Sequence, residues 1–194
     1  MTLITLVRHG QTDWNRARRI QGTTDIPLNE TGRADALAAA VLLADTPHHA
    51  VYASPLIRAQ ETARIIAERL ELAPPATTDG MREREFGEGE GMLVPEYLKR
   101  FGDWHAVPDG AESLETVRDR ALGALDRIAR ESRRRSAPTA ESVIVVTHGG
   151  VIRALLGHAS SGTLPREGDV LRNGSLHRFE AGPGLLRLLE PITL

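Results

Sequence analysis

Positions 3–7, Leu-Ile-Thr-Leu-Val, form a short apolar run of the kind that fills a buried strand. The run stops abruptly at Arg8, His9 and Gly10. Positions 9–29 are polar and punctuated by Gly10, Gly22, Pro27 and Asn29, so they read as a long loop, and loops of that length usually serve function. Asn29 then caps a helix in which Ala34, Leu37, Ala38, Val41 and Leu42 recur at helical spacing. Positions 49–53 give a second strand. Ser54-Pro55 reads as an N-cap followed by proline at the first helical position, opening a helix with the stripe Leu56, Ala59, Ala63, Ile66 and Leu70.

Positions 72–78 hold two prolines and suit a short edge strand, and positions 81–91 are dense in glutamate and glycine. Helices are expected over 95–101 and 113–134, the latter with Leu114, Val117, Ala121, Leu125 and Ile128 in one stripe. Positions 142–146 form the third clear strand and 149–156 the helix after it. Alternating runs at 175–180 and 185–189 close the chain as strands, and the stretch 136–141 reads only as a loop. Strands that alternate with helices predict an α/β three-layer sandwich, a mostly parallel central sheet flanked by helices, as one domain over residues 1–194.

Composition narrows the chemistry. The chain has 194 residues, 41% apolar and 26% charged, with a formal net charge of −2. That is the balance of an ordinary globular domain able to bury roughly 70% of its unfolded surface. A nucleic-acid partner would favour a basic excess, which this chain lacks. Cysteine is absent, which removes disulfides, thiolate metal sites and cysteine nucleophiles together. No apolar run approaches the roughly 18 residues of a membrane span, and a strand pattern stands where a signal core would, so the expected location is the cytoplasm. Lys99 is the only lysine and has no glycine-rich loop before it, which discards both a Schiff-base and a phosphate-loop lysine.

Charge gathers where strands give way to helices. Arg8 and His9 end the first strand, Arg58 lies in the opening turn after the second, and His148-Gly149-Gly150 follows the third. Parallel strands bring these crossings to one sheet edge, where open α/β sheets place their ligands. Adjacent cations at the end of a buried strand are costly without an anion. A cation at Arg58 also opposes the helix macrodipole, by roughly 0.3–1 kcal/mol when exposed. A lone arginine on a helix is usually a solvated charge, but independent surface charges have no reason to share an edge. The expectation is a four-member cationic pocket of Arg8, His9, Arg58 and His148 around a phosphate or sulfate, which guanidinium groups fit bidentately.

The segments Leu6-Val7-Arg8-His9-Gly10-Gln11-Thr12, Trp14-Asn15, Gln21-Gly22 and Pro27-Leu28-Asn29-Glu30-Thr31-Gly32 closely resemble the opening of the histidine phosphatase superfamily, which includes the cofactor-dependent phosphoglycerate mutases. The resemblance continues through Ser54-Pro55-Leu56-x-Arg58-Ala59-x-x-Thr62-Ala63, Arg82-Glu83-x-x-Phe86-Gly87-x-x-Glu90-Gly91 and Val146-Thr147-His148-Gly149-Gly150, in the family's order. It implies a phosphoglycerate mutase-like fold, with His9 as the nucleophile that becomes a phosphohistidine. Arg8, Arg58 and His148 would hold the phosphoryl oxygens, and Asn15, Gln21, Gly22 and the backbone of Gly149 would contact phosphate and substrate. That division suits phosphoryl transfer, which asks for in-line positioning and electrostatic stabilisation. His9 must present a neutral nitrogen to attack. Arg8 beside it favours that form, and a backbone carbonyl would fix the tautomer.

The leaving alcohol needs a proton, and Glu83, Glu85, Glu88 and Glu90 are all candidates among which the residues alone do not choose. By position in the matching block, the resemblance implies Glu83 as general acid and then as base on water, its pKa raised by the bound phosphate. Gly89 stands where many relatives have tryptophan, which predicts a looser wall beside Glu83. The spacing of Gly87, Gly89 and Gly91 is not a dinucleotide loop, being acidic and without a strong strand before it. His48, His49, His105, His158 and His177 lack motif support and read as surface or structural, while Trp104 and His105 precede the loop at 108–113 where they would line a substrate mouth. Arg133-Arg134-Arg135 reads as a solvated helix end.

A phosphatase acting on a small phosphomonoester is therefore expected. The first alternative is a cofactor-dependent phosphoglycerate mutase, which in the family goes with a longer, arginine-rich insertion. Positions 92–112 are short and offer only Lys99 and Arg100. The second is a non-catalytic phosphate-binding module, against which Arg8, His9, Arg58, Glu83 and His148 are all present. No cofactor or metal is expected. The partner is a small phosphorylated metabolite, with neither nucleic acid nor membrane, and a homodimer is the assembly allowed for.

Overall fold

The computed structural model describes residues 1–137, 139, 141–166 and 168–189. Its strands are β1 (Thr2–Arg8), β2 (Ala50–Ala53), β3 (Ala76–Thr77), β4 (Ser142–Thr147), β5 (Leu176–Gly182) and β6 (Leu185–Leu188). The helices are α1 (Asp13–Arg16), α2 (Glu30–Leu43), α3 (Ile57–Arg69), α4 (Val94–Phe101), α5 (Leu114–Ser136) and α6 (Gly149–Ala159). The six strands form one sheet in the order β3-β2-β4-β1-β5-β6. β3, β2, β4 and β1 run parallel, and β5 and β6 add antiparallel at one side. This is the expected α/β architecture, with most ends shifted by only a few residues. Of the loop expected over 136–141, Pro138 and Ala140 lie outside the described residues. No described helix is long and apolar enough to cross a membrane.

All six residues of β4 are buried, because helices cover both of its faces. Alternation along the strands divides the interior in two. Ile4, Leu6, Val143 and Val145 pack with Val117, Ala121, Leu125 and Ile128 of α5 and Ile152 and Leu155 of α6. Val7, Val51, Ile144 and Val146 face the other way, onto Ala39, Ala40 and Leu43 of α2 and Ala59, Ala63 and Ile66 of α3. Strand register then sets the edge that matters. Arg8 pairs with Thr147, and the His9 N–H donates to the Thr147 carbonyl at 2.9 Å, so the carboxyl ends of β1 and β4 are level. Ser54 N–H donates to the Val146 carbonyl at 3.0 Å, bringing the end of β2 beside them.

Two sequence expectations need correction. The stripe assigned to α2 points outward: Leu37, Val41 and Leu42 are 50%, 59% and 60% exposed, while Ala36, Ala39, Ala40 and Leu43 are buried. Small residues win that face because the first turn of α2 is pressed against the loop after His9. A Cβ at Gly10 would lie 2.1 Å from the Gly32 carbonyl oxygen, and one at Gly32 would lie 2.1 Å from that of Gln11. The Asn29 cap is as expected, its Oδ1 accepting Gly32 N–H at 2.9 Å. The second correction is at α3, which begins at Ile57 with no side-chain cap from Ser54. Asp25 instead accepts the Ile57 N–H at 2.7 Å, supplying the negative charge that a helix start carrying Arg58 lacked.

Candidate active site

The edge where β1, β2 and β4 end gathers His9, Arg58, Glu83 and His148 as buried side chains, with Arg8 beside them half-buried. His9 Nδ1 lies 2.7 Å from the carbonyl oxygen of Gly10. A carbonyl only accepts, so Nδ1 carries the proton and Nε2 keeps its lone pair. Burial first, then Arg58 and Arg8, hold the ring's pKa well below the ordinary histidine value. Asn173 fixes the same residue from below, donating Nδ2–H to the His9 carbonyl at 2.8 Å. Thr62 Oγ1 accepts the Gly10 N–H at 3.0 Å and donates to the Arg58 carbonyl at 2.7 Å, tying the first crossing to the second.

Both nearby guanidinium groups are held by backbone carbonyls. Arg58 donates to Gly22 at 2.8 Å and Thr24 at 3.0 Å, and Arg8 donates to Leu171. Each has a buried Nε with no partner among the described residues. Burial lowers the pKa of Arg58 to about 10 and that of Arg8 also downward, yet both remain charged at neutral pH. Two desolvated cations with open donors are the electrostatic shape of an anion site.

His148 differs from expectation. Its Nε2 lies 2.7 Å from Ser54 Oγ, while its buried Nδ1 has no partner among the described residues. Burial, followed by Arg58 and His9, holds its pKa well below the ordinary value. The expected four-member cationic pocket is thus two guanidiniums and two neutral imidazoles, whose ring centroids stand 5.1 Å apart. Desolvation beside Arg8 and Arg58 makes four charges too costly without the anion.

The other expected contacts are shaped by Thr12. Its hydroxyl donates to Gln21 Oε1 at 2.8 Å, leaving Gln21 Nε2 buried without a partner. Thr12 and Asn15 also form a reciprocal capping box at the start of α1, and Asn15 Oδ1 further accepts from Asn173 at 3.2 Å. The Asn15 amide N–H₂ therefore remains to donate. Gly22 offers its carbonyl to Arg58, and Gly149 opens α6 directly after His148.

Glu83 sits at the start of α6. Its Oε2 accepts from Gly150 N–H at 3.1 Å and its Oε1 from Arg84 N–H at 2.8 Å. A Cβ at position 150 would lie 2.5 Å from Oε1, so glycine is what admits the carboxylate. One arginine holds its backbone and a second ties the neighbouring loop. Arg120 donates to the carbonyls of Gly80, Arg82 and Glu83 at 2.9, 2.7 and 3.1 Å and pairs with Glu112 at 2.8 Å. Arg84, fully buried, donates to the carbonyls of Glu112, Trp104 and Ala106.

The wall near Gly89 is filled, contrary to the looser one expected. A Cβ there would lie 2.6 Å from the ring of Tyr97, which is completely buried, meets Phe86 edge-on and stacks on Trp104 at 5.7 Å. Trp104 is therefore spent in this cluster instead of a substrate mouth, and His105 is exposed. His177 is buried, with Nε2 3.0 Å from Ser175 Oγ. Among the described residues no three His, Asp or Glu side chains converge as a metal site would need.

The profile of the Histidine phosphatase superfamily (branch 1) matches residues 4–190. The chain belongs to this superfamily. As a histidine phosphatase it is 38% identical over 180 residues to the uncharacterized phosphatase PhoE of Bacillus subtilis, covering 93% of this chain and 89% of PhoE. It is 37% identical over 166 residues to a metal-independent phosphoserine phosphatase of Arabidopsis thaliana, covering 80% of this chain and 67% of that protein. A mycobacterial glucosyl-3-phosphoglycerate phosphatase solved with VO3 superposes with a TM-score of 0.83 at 25% identity, over 100% of this chain and 98% of that one. In this histidine phosphatase, sequence reasoning missed Ser54, Thr62, Arg84, Arg120 and Asn173. Of these, Ser54 and Thr62 stood inside a matching motif, and the others carried no local signal.

Proposed function

We propose that this phosphatase hydrolyses a small phosphomonoester, the ester of a phosphorylated metabolite, in two in-line steps at His9, and we read residues 1–194 as one such domain. The observation that carries the mechanism is the Nδ1–H of His9 donating to Gly10 at 2.7 Å, which leaves Nε2 as a neutral nucleophile beside two cations. Nε2 attacks phosphorus as the bond to the leaving oxygen breaks, and protonated Glu83 gives that oxygen its proton. Glu83, now a carboxylate, takes a proton from water, whose oxygen attacks phosphorus. The P–N bond breaks, phosphate leaves, and His9 is neutral again. Arg8, Arg58 and the Nδ1–H of His148 stabilise the phosphoryl oxygens throughout, with Asn15, Gln21 and the backbone of Gly22 and Gly149 around them.

The mutase alternative is less favoured because Arg100, one of only two cations over 92–112, is paired with Glu88. The test is to trap an acid-labile phosphoenzyme during turnover and to measure His9→Ala. The variant is expected to lose turnover and the phosphoenzyme while still binding vanadate in part. An unaffected rate would overturn the assignment of His9. Rapid isomerisation of 3-phosphoglycerate with a trace of 2,3-bisphosphoglycerate, without phosphate release, would overturn the hydrolase reading.

A further inference from the structure

A cavity of about 480 Å³ opens beside the catalytic cluster and shares Arg8 and Asn15 with it. Its wall also carries Arg18, Arg19, Arg172 and Asn173, so four arginines line one concave space. The single carboxylate in the wall, Asp35, already accepts the Gln11 N–H at 3.0 Å. Neither Arg18 nor Arg172 forms an ion pair among the described residues. Like charges held together in a concavity raise the local potential and concentrate anions there.

The arrangement is also fixed in place. Arg18 has a left-handed backbone, φ 53°, a conformation that residues other than glycine adopt at a cost of about 1 kcal/mol or more. It is held by its N–H to the Asn15 carbonyl at 3.0 Å and by its own carbonyl to Val94 N–H at 2.8 Å. Arg19 donates Nη1–H to the Gly91 carbonyl at 2.8 Å. On the opposite wall, Asn173 reaches both the His9 carbonyl and Asn15 Oδ1, and Gly174 N–H donates to the Arg8 carbonyl at 3.0 Å. Arg172 is thus one residue from the group that steadies the nucleophile.

We infer that Arg18 and Arg172 form a second anion subsite, so that the substrate is a phosphomonoester whose leaving group carries its own negative charge, a carboxylate or a second phosphate. This rests on the proposed hydrolysis at His9. The leaving oxygen stays at Glu83, which is outside the cavity wall, and the group it carries turns past Arg8 and Asn15 to reach the basic cavity. Arg19 serves chiefly to hold the segment at Gly91, and Arg8 is shared between the two sites. Guanidinium forks accept either anion, which is why the two sources must be separated by experiment.

The test compares matched esters on the full-length protein. 3-Phosphoglycerate is set against glycerol 3-phosphate, and 1,3-propanediol bisphosphate against its monophosphate. The wild type is expected to favour at least one charged ester tenfold or more in kcat/KM, and the pair that shows it names the anion. Arg18→Gln/Arg172→Gln is expected to bring that ratio down at least tenfold, and Arg172→Glu to lower it further. A ratio near one in the wild type, or one unmoved in the double variant, would overturn the subsite. Calorimetric titration of His9→Ala with the same ligands keeps the question separate from turnover. Tighter binding of the charged ester that Arg18→Gln/Arg172→Gln abolishes supports the subsite even if no ester is hydrolysed, an outcome that would sink the hydrolase reading alone.

Discussion

The Ser54 hydroxyl lies 2.7 Å from Nε2 of His148, bridging the ends of β2 and β4. Ser54 Oγ also accepts the Leu56 N–H at 3.3 Å; with its own proton turned to the imidazole, His148 carries its proton on the open Nδ1, the tautomer that the proposed mechanism uses. Ser54→Ala releases that choice of tautomer. The variant is expected to lose roughly ten- to thirtyfold in kcat, about 1.4–2 kcal/mol of transition-state stabilisation, with Ser54→Thr restoring most of it. Steady-state kinetics on a chromogenic phosphomonoester checks this. Wild-type kcat in Ser54→Ala would remove the hydroxyl from the mechanism.

Arg84 is a buried cation whose partners are three carbonyls spread over residues 104–112. Arg84→Met fills the space but leaves those acceptors dry. We expect a loss of roughly 3 kcal/mol or more of stability, read as a lower urea midpoint, since each buried polar group left unmade costs about 1–3 kcal/mol. A midpoint within error of the wild type would mean that water replaces the guanidinium.

The difference between what was legible and what was not is physical. Arg8, His9, Arg58 and His148 stood out because each follows an apolar strand that cannot carry charge unaided. Glu83 was separable from Glu85, Glu88 and Glu90 only through family resemblance, because what distinguishes it is the start of α6, far along the chain. Arg120 lies on an amphipathic helix and looks like any solvated cation until α5 docks beneath residues 80–83. The buried face of α2 is not legible because residues 36–43 are all apolar, so periodicity does not choose between Leu37 and Ala36. Close approach to α3 and to the loop at Gly10 makes that choice, favouring the smaller side chains.

Gly89 and Tyr97 occupy one space. Gly89→Ala places a methyl group 2.6 Å from the Tyr97 ring and is expected to cost about 1–3 kcal/mol through overpacking. In a Tyr97→Ala background the same change should cost less, with a coupling of about 1 kcal/mol. A double-mutant cycle by thermal or urea unfolding measures it. Strict additivity would show that the wall yields without strain.

His177 predicts how the fold responds to acid. Burial, and then Arg8, push its pKa down to about 4, so the folded ring stays neutral where an unfolded histidine takes up a proton. Below pH ~6.5 the unfolded chain therefore binds more protons than the fold, and stability declines as pH falls toward about 4, by up to roughly 3 kcal/mol from this ring. His9 and His148 are depressed for the same reasons and act in the same direction. His177→Gln keeps a polar group near Ser175 but removes this proton uptake. Its urea midpoint should fall less between pH 7 and 4.5 than that of the wild type. Parallel curves for the two proteins would assign the acid sensitivity to the other imidazoles and to the carboxylates instead.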